Sequence, residues 1–349
     1  MAGEGQPRPP QQAYSRLTVI AIFLLLAIGA VIVILDRKQV AHLLTTSNWS
    51  YLAGAIFFTG ISYLAGSTSF IVIMRVFGNR LRTTHLLNIG LASMVLMNLI
   101  GQPAGLSLRI LLLGKHRMPN SQTVAASLLL SYFKNLMYFS LIPISLIYIV
   151  VSHPLPAFGV ATILLIIVIL IVLLVVATSI AFYARLRAYV LRGIGKAWHM
   201  VSRRDIQKPL AQFSEAMTLG VEDLREHREN RAPLGISIAV DVAATIVALW
   251  FCFAALGIPV RPEVLLTGFN FGITLTVISF IPGDMGVQEA SMAGVFALFG
   301  VSFSEGVIAA VLFRIVYYFL PFIASLALYW SLLREKVAEE KSEASSTKP

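Results

Sequence analysis

Charge is what this chain has least of. Only 13% of its 349 residues are Asp, Glu, Lys or Arg, whereas 57% are hydrophobic and the mean hydropathy is +0.81. So apolar a composition excludes an ordinary soluble domain and points to a chain that crosses a membrane several times. Its longest stretch without strong apolar character, about 185–232, is under fifty residues and too short for a soluble enzyme domain. Cysteine is nearly absent. Cys252, alone in an apolar run, rules out an intrachain disulfide or a cysteine metal site. The six histidines (His42, His85, His116, His153, His199, His227) have no metal-ligand spacing, so no metal site is expected. There is no G-x-x-x-x-G-K-[ST] loop for ATP, and no H-E-x-x-H or G-x-S-x-G motif. Neither a cofactor nor catalysis is expected. Acids number 17 against 27 bases, a net charge of +10. With the bases lying in loops beside spans, orientation and anionic lipid head groups explain that excess better than nucleic acid does.

What is present is a succession of apolar runs. Residues 1–15, rich in Pro, Gln and Gly, read as a disordered tail, and 336–349 as another. A single membrane domain is expected at 16–335. Leu17 to Leu35 is nineteen residues without a charge, about 28 Å as a helix and enough to cross the hydrocarbon layer. A signal peptide is the alternative, but the apolar core is long for one. Further spans are expected at 43–74, 122–151, 155–184 and 234–256. Between Arg185 and Arg231, ten basic residues face six acidic ones, which places this connector on the cytoplasmic side and both termini with it. An inner membrane is the expected location.

Two runs are poor continuous helices. Residues 86–117 carry Asn98, Gly101, Pro103 and Gly105 ahead of Arg109, and 264–301 carry Pro282, Gly283 and Gly286 ahead of Glu289. Proline and glycine free backbone polar groups at a depth where only protein or trapped water can satisfy them, so broken or re-entrant hairpins lining a cavity are expected. Pro103, Gly105, Pro282, Gly283 and Gly286 are the break positions. The second run also places Asp284, Glu289 and Arg314 within thirty-one residues of otherwise apolar sequence. Each ionisable group inside a span costs at least about 2.5 to 3.5 kcal/mol, which asks for a reason. One is that Glu289 and Arg314 pair to hold two helices together. The other is function, and the two are compatible.

The broken runs resemble each other. Lys134 follows Arg109 by twenty-five residues, as Arg314 follows Glu289, and a tyrosine (Tyr138, Tyr318) stands four positions past each cation. With the connector inside, the two copies run in opposite directions through the bilayer. Inverted repeats with discontinuous helices are the sequence pointer to a secondary transporter. The fold expected is therefore all-α, a polytopic transmembrane helix bundle with two broken hairpins in an inverted repeat.

The segments I-P-G-D-M-G-V-Q-E-A (281–290) and G-V-I-A-A-V-L-F-R-I-V-Y-Y-F-L-P-F (306–322), with N-L-I-G-Q-P-A-G-L-S-L-R (98–109), resemble the motifs of the lysylphosphatidylglycerol synthase transmembrane-region family of flippase-like membrane proteins. The resemblance runs from about residue 15 to 335. It implies that Pro282, Gly286, Glu289, Arg314 and Tyr318 occupy family motif positions. It also implies a membrane part that moves modified lipid between leaflets. Two departures stand out: Asp284 replaces a small residue, and the first motif lacks an acid near Ser107, leaving Arg109 without its nearest expected partner. The soluble aminoacyl-transfer part is not in this sequence, so synthesis of a lysyl lipid is not expected of this chain alone.

The function expected is binding and translocation of a phospholipid or other anionic isoprenoid or modified lipid. Arg109, Lys134 and Arg314 would attract the phosphate, and Asp241, Asp284 and Glu289 would balance them when the site is empty. The expected partners are membrane lipids. The alternative is a non-transporting accessory protein that scaffolds a lipid or cell-envelope biosynthetic enzyme. Tyr317, Tyr318 and Phe319 read as packing or interfacial aromatics, and Met94, Met97, Met285 and Met292 as core filler.

Overall fold

The structure is a computed structural model that describes residues 47–116, 118–152, 156–202, 207–226, 228–279 and 286–326. The expected span at 17–35, both tails, and Pro282, Gly283, Asp284 and Met285 lie outside the described residues. Among the described residues every regular element is helical: α1 (Trp49–Val76), α2 (Thr83–Leu99), α3 (Gln102–Lys115), α4 (Asn120–Ser152), α5 (Ala157–Phe182), α6 (Ala184–Ser202), α7 (Gln207–Glu226), α8 (Arg231–Ala255), α9 (Pro262–Ser279), α10 (Val287–Leu298) and α11 (Phe303–Arg314). A π-turn, Ile315–Phe319, follows α11, and helix resumes as far as 326. Five described stretches are long and apolar enough to span a bilayer: α1, α4 to Val151, α5, Arg228–Ala255 and Phe303–Leu326.

Helix ends follow local chemistry. Arg75 in the last turn of α1 donates to the carbonyls of Asn79 (2.9 Å) and Leu81 (2.8 Å), just past the helix. Before α11, Ser302 Oγ accepts from the Glu305 N–H (3.2 Å) while the Glu305 carboxylate accepts from the Ser302 N–H (3.0 Å). That reciprocal pair satisfies two otherwise orphaned amides.

Helix α5 is apolar all round and buries only Ala181; Leu173, for instance, is 58% exposed. A helix so exposed and so greasy is stable in lipid, not in water. By contrast α1 packs along α8 through a stripe of small residues, including Ala55, Ser62 and Ser69, all buried. Without a hydrophobic drive between helices in lipid, close backbone approach supplies the packing. A Cβ on Gly54 of α1 would lie 2.5 Å from the Phe251 ring of α8, so nothing larger fits.

Two apolar cores result. One gathers Ala55, Leu249, Phe253, Phe269, Phe296 and Phe313; the other gathers Phe70, Ile73, Leu86, Leu129, Met217 and Val242. Both use α1 and α8, at different heights. Ser62, Asp241 and Thr245, where those helices change from one core to the other, form a polar layer between them.

Both broken runs are helical hairpins, α2 with α3 and α9 with α10, each packed against itself. The first break falls at Ile100 and Gly101 (φ 123°), not at Pro103 and Gly105. Pro103 sits in the first turn of α3, where its missing N–H costs nothing. Gly105 lies inside α3 and is a packing glycine: a Cβ there would meet the Ser93 carbonyl oxygen at 2.5 Å. Gly286, with φ 82°, is a break position as expected, at the N-cap of α10.

The connector is two amphipathic helices, α6 and α7, and it is docked. Arg187 of α6 is buried; its guanidinium donates to the Ala181 carbonyl at the end of α5 (2.7 Å) and to the Ser214 carbonyl of α7 (3.1 Å), and also bonds Thr218. Burial lowers its pKa from the usual arginine value.

Candidate functional site

The polar layer is held together by charge. Lys134 Nζ of α4 lies 2.8 Å from Asp241 Oδ2 of α8. The other carboxylate oxygen accepts from Ser62 Oγ of α1 at 2.5 Å. Thr245, one turn past Asp241, donates back to its carbonyl (2.8 Å). The single protons of Ser62 and Thr245 are thus committed. Tyr317, whose hydroxyl lies 2.8 Å from Ser62 Oγ and 3.0 Å from Thr245 Oγ1, must be the donor to this group. Tyr63 in turn donates to the Tyr317 carbonyl and accepts from Asn98 Nδ2, both at 3.0 Å. Asp241 therefore accepts charge-assisted bonds from an ammonium and a hydroxyl, which is what makes a nearly inaccessible carboxylate tenable.

Arg109 stands differently. Only 4% exposed, its guanidinium donates to Ser93 Oγ (2.9 Å) and Ser127 Oγ (3.3 Å) and sits 4.2 Å from the centre of the Phe70 ring. Among the described residues no carboxylate pairs with it. It nevertheless lines one cavity of about 50 Å³ together with Asn98, Gln102, Lys134, Asn135 and Asp241. At roughly 10 to 15 Å³ of such space per water, that is room for a few waters or a small charged group.

A second ionic cluster lies at the second hairpin. Arg314, last in α11, is ion-paired to Glu289 of α10. The other Glu289 oxygen accepts from the Gly286 N–H at 2.9 Å, so one carboxylate both caps α10 and neutralises Arg314. Gln288 Oε1 accepts from Tyr318 (3.1 Å) and from Arg314 (3.4 Å), and the Arg314 guanidinium lies 5.4 Å from the Tyr318 ring.

Of the residues singled out in the sequence, Arg109, Lys134 and Asp241 meet at one cavity, and Glu289, Arg314 and Tyr318 form the second group. Asp284 lies outside the described residues. Tyr317 is not merely a packing aromatic but the hydroxyl donor of the polar layer. Ser62, Thr245, Tyr63, Asn98 and Gln288 were missed. Asp241-x-x-x-Thr245 and the neighbouring Gln288-Glu289 were signals, since both put polar groups beside an acid within apolar helix; Ser62 offered none.

A family model described as the lysylphosphatidylglycerol synthase TM region matches residues 18–325. The chain belongs to this family. The matched range takes in both hairpins, the connector and every charged residue described above. A UPF0104 membrane protein of Methanothermobacter thermautotrophicus (strain Delta H) is also similar, with 25% identity over 122 residues. That likeness spans 34% of this chain and 33% of the relative. In a chain of the lysylphosphatidylglycerol synthase TM region family, the two ionic clusters stand inside the multi-pass membrane part itself.

Proposed function

We propose that this chain binds the head group of an anionic lipid at the polar layer and carries it between leaflets. Arg109 is the observation that supports this most directly. A buried guanidinium that, among the described residues, is compensated only by hydroxyls and an aromatic face is costly in a low-dielectric site, and a phosphate would supply the missing counter-charge. Lys134 would share that phosphate, with Asp241 holding the ammonium while the site is empty. The role is one of binding and movement, with no catalytic step and no cofactor. In this reading the protein sits in the inner membrane with cytoplasmic termini, and the two hairpins enter from opposite faces.

The test is reconstitution into liposomes containing head-group-labelled lipids, comparing native protein with Arg109→Gln and Lys134→Gln. Native protein should make inner-leaflet label accessible to an external quencher, and both variants should slow this severely. If no anionic lipid is more accessible than in protein-free vesicles, transport is excluded. A scaffold for a lipid or cell-envelope enzyme draws support from the closed Lys134–Asp241 and Glu289–Arg314 pairs, which also serve as struts. It predicts that the variants keep their cellular function and that the partner enzyme's activity depends on this chain.

A further inference from the structure

A second cavity lies beside the polar one and has the opposite character. It measures about 600 Å³, within the roughly 300 to 1,000 Å³ range of small-molecule sites, and its walls are mainly apolar. Phe133 and Met137 of α4, Phe182 of α5, Leu224 of α7, and Leu234 and Ile238 of α8 form them. At its margin stand Arg225 and Arg231, both exposed, with no acidic side chain in the lining. Arg231 also donates to the backbone carbonyls of Leu224 and Arg225, which ties its guanidinium to the end of α7, the turn that carries Arg225. Ile238 lines both cavities, so the greasy groove adjoins the chamber of Arg109, Lys134 and Asp241.

We propose that this groove is a docking site for an anionic phospholipid, with an acyl chain between α4, α7 and α8 and the phosphate on Arg225 and Arg231. The charge pattern selects the occupant: an apolar slot with two arginines and no acid in its lining matches an amphiphile with one anionic end. A detergent-like neutral chain would fill the slot but leave the arginines unused. The docked connector supplies Val221, Leu224 and Arg225 to this site, which gives the Arg187 clamp a purpose beyond tethering. Although the site gains its meaning from the lipid-carrying role proposed above, as the place where a lipid waits next to the polar chamber, its occupancy is measurable without transport.

The experiment uses the full chain in phosphatidylcholine nanodiscs doped with either phosphatidylglycerol or phosphatidylcholine bearing a diazirine in mid-chain, with crosslinked residues located by mass spectrometry. Phosphatidylglycerol should label the groove residues Met137, Leu224 and Leu234 above the lipid-exposed face of α5. Arg225→Gln should reduce that labelling about fivefold, the factor expected of one basic residue at an anionic lipid surface, while leaving phosphatidylcholine labelling unchanged. Arg225 is preferred to Arg231 because the Arg231 side chain secures the end of α7. Gly235→Trp should abolish groove labelling by both lipids. A Cβ at Gly235 meets nothing within 4 Å and Gly235 lines the groove, so the added ring has the slot to occupy, and a native-like thermal unfolding transition checks that the variant is folded. Labelling spread evenly over α5 and the groove, or an equal effect of Arg225→Gln on both lipids, would overturn the proposal. Groove labelling that survives in a protein shown not to transport lipid would sustain the docking site and remove the transport reading instead.

Discussion

Tyr317 and Tyr318 are consecutive in the chain, yet each serves a different ionic cluster: Tyr317 bonds the Ser62–Thr245–Asp241 group and Tyr318 bonds Gln288 beside Arg314 and Glu289. They lie on the π-turn that follows Arg314, where the Leu320 N–H reaches back to the Ile315 carbonyl. Such turns interrupt the regular ladder and are frequent at functional positions. The two clusters are therefore joined by one short segment of backbone. A shift of that turn would act on both.

Removing one member of the Lys134–Asp241 pair separates stability from function. Asp241→Asn leaves an ammonium uncompensated and is expected to destabilise the protein by about 3 to 5 kcal/mol. The double variant Lys134→Met with Asp241→Leu removes both charges and should recover most of that loss. Thermal unfolding of the purified protein in detergent reads the stability. The liposome assay should show that the double variant remains inactive, because apolar packing cannot stand in for the cation.

Tyr317→Phe deletes the donor to Ser62 and Thr245 while keeping the ring stacked on Phe313, where the centroids are 5.1 Å apart. A cost of about 0.5 to 1.5 kcal/mol is expected. Comparing it with Tyr318→Phe by the same unfolding measurement tests whether the two clusters respond together. Independent, additive losses in the double variant would show that the turn does not couple them.

The three glycines Gly60, Gly105 and Gly286 should behave differently when each is changed to Ala. Gly286 has open space around it but φ 82°, so the expected cost is conformational, about 1 to 2 kcal/mol. At Gly105 a Cβ would meet the Ser93 carbonyl oxygen at 2.5 Å, so the first hairpin must open, and a loss of about 1 to 3 kcal/mol is expected. Gly60, helical and with nothing within 4 Å, should gain about 0.5 to 1 kcal/mol. Equal effects at all three would contradict the assigned causes.

Arg187→Ala should free the connector. The guanidinium joins α6 to the end of α5 and to α7, and hydrogen bonds to a charged donor contribute about 1.5 to 3 kcal/mol. Limited proteolysis should then cut between α6 and α7 faster than in the native protein, with the spans left intact.

Orientation is tested by single cysteines placed near Asn120 and Gly300. Cys252 is buried and should give little background labelling. Labelling from opposite sides of sealed vesicles is expected if the two hairpins are inverted copies, as proposed. Labelling from one side would remove that proposal.

The spans at α1, α4, α5 and α8 were legible because length and uninterrupted apolarity are local quantities, set by the thickness of the bilayer. The hairpins were legible for a related reason, since Pro and Gly act on the backbone where they stand. Even so, the first break was displaced by Pro103, which looks like a breaker but is harmless in a first turn. The candidate site was visible only as a set of charges. The Glu289–Arg314 pairing could be read from two charges close together in one apolar stretch, but that of Lys134 with Asp241 could not, because they are more than a hundred residues apart and neither neighbour sequence names its partner.

By itself, then, the sequence determined that this chain is a membrane bundle, where it is interrupted, and that ionisable groups must lie inside it, for those follow from hydration costs that each residue carries alone. Only the tertiary structure decided that Asp241 neutralises Lys134 and that Arg109 is left among hydroxyls, whereas the Glu289–Arg314 pair was already expected from the sequence. Electrostatic pairing depends on distance in space, and distance across a bundle is fixed by how the small-residue seam of α1 and α8 lets the helices close.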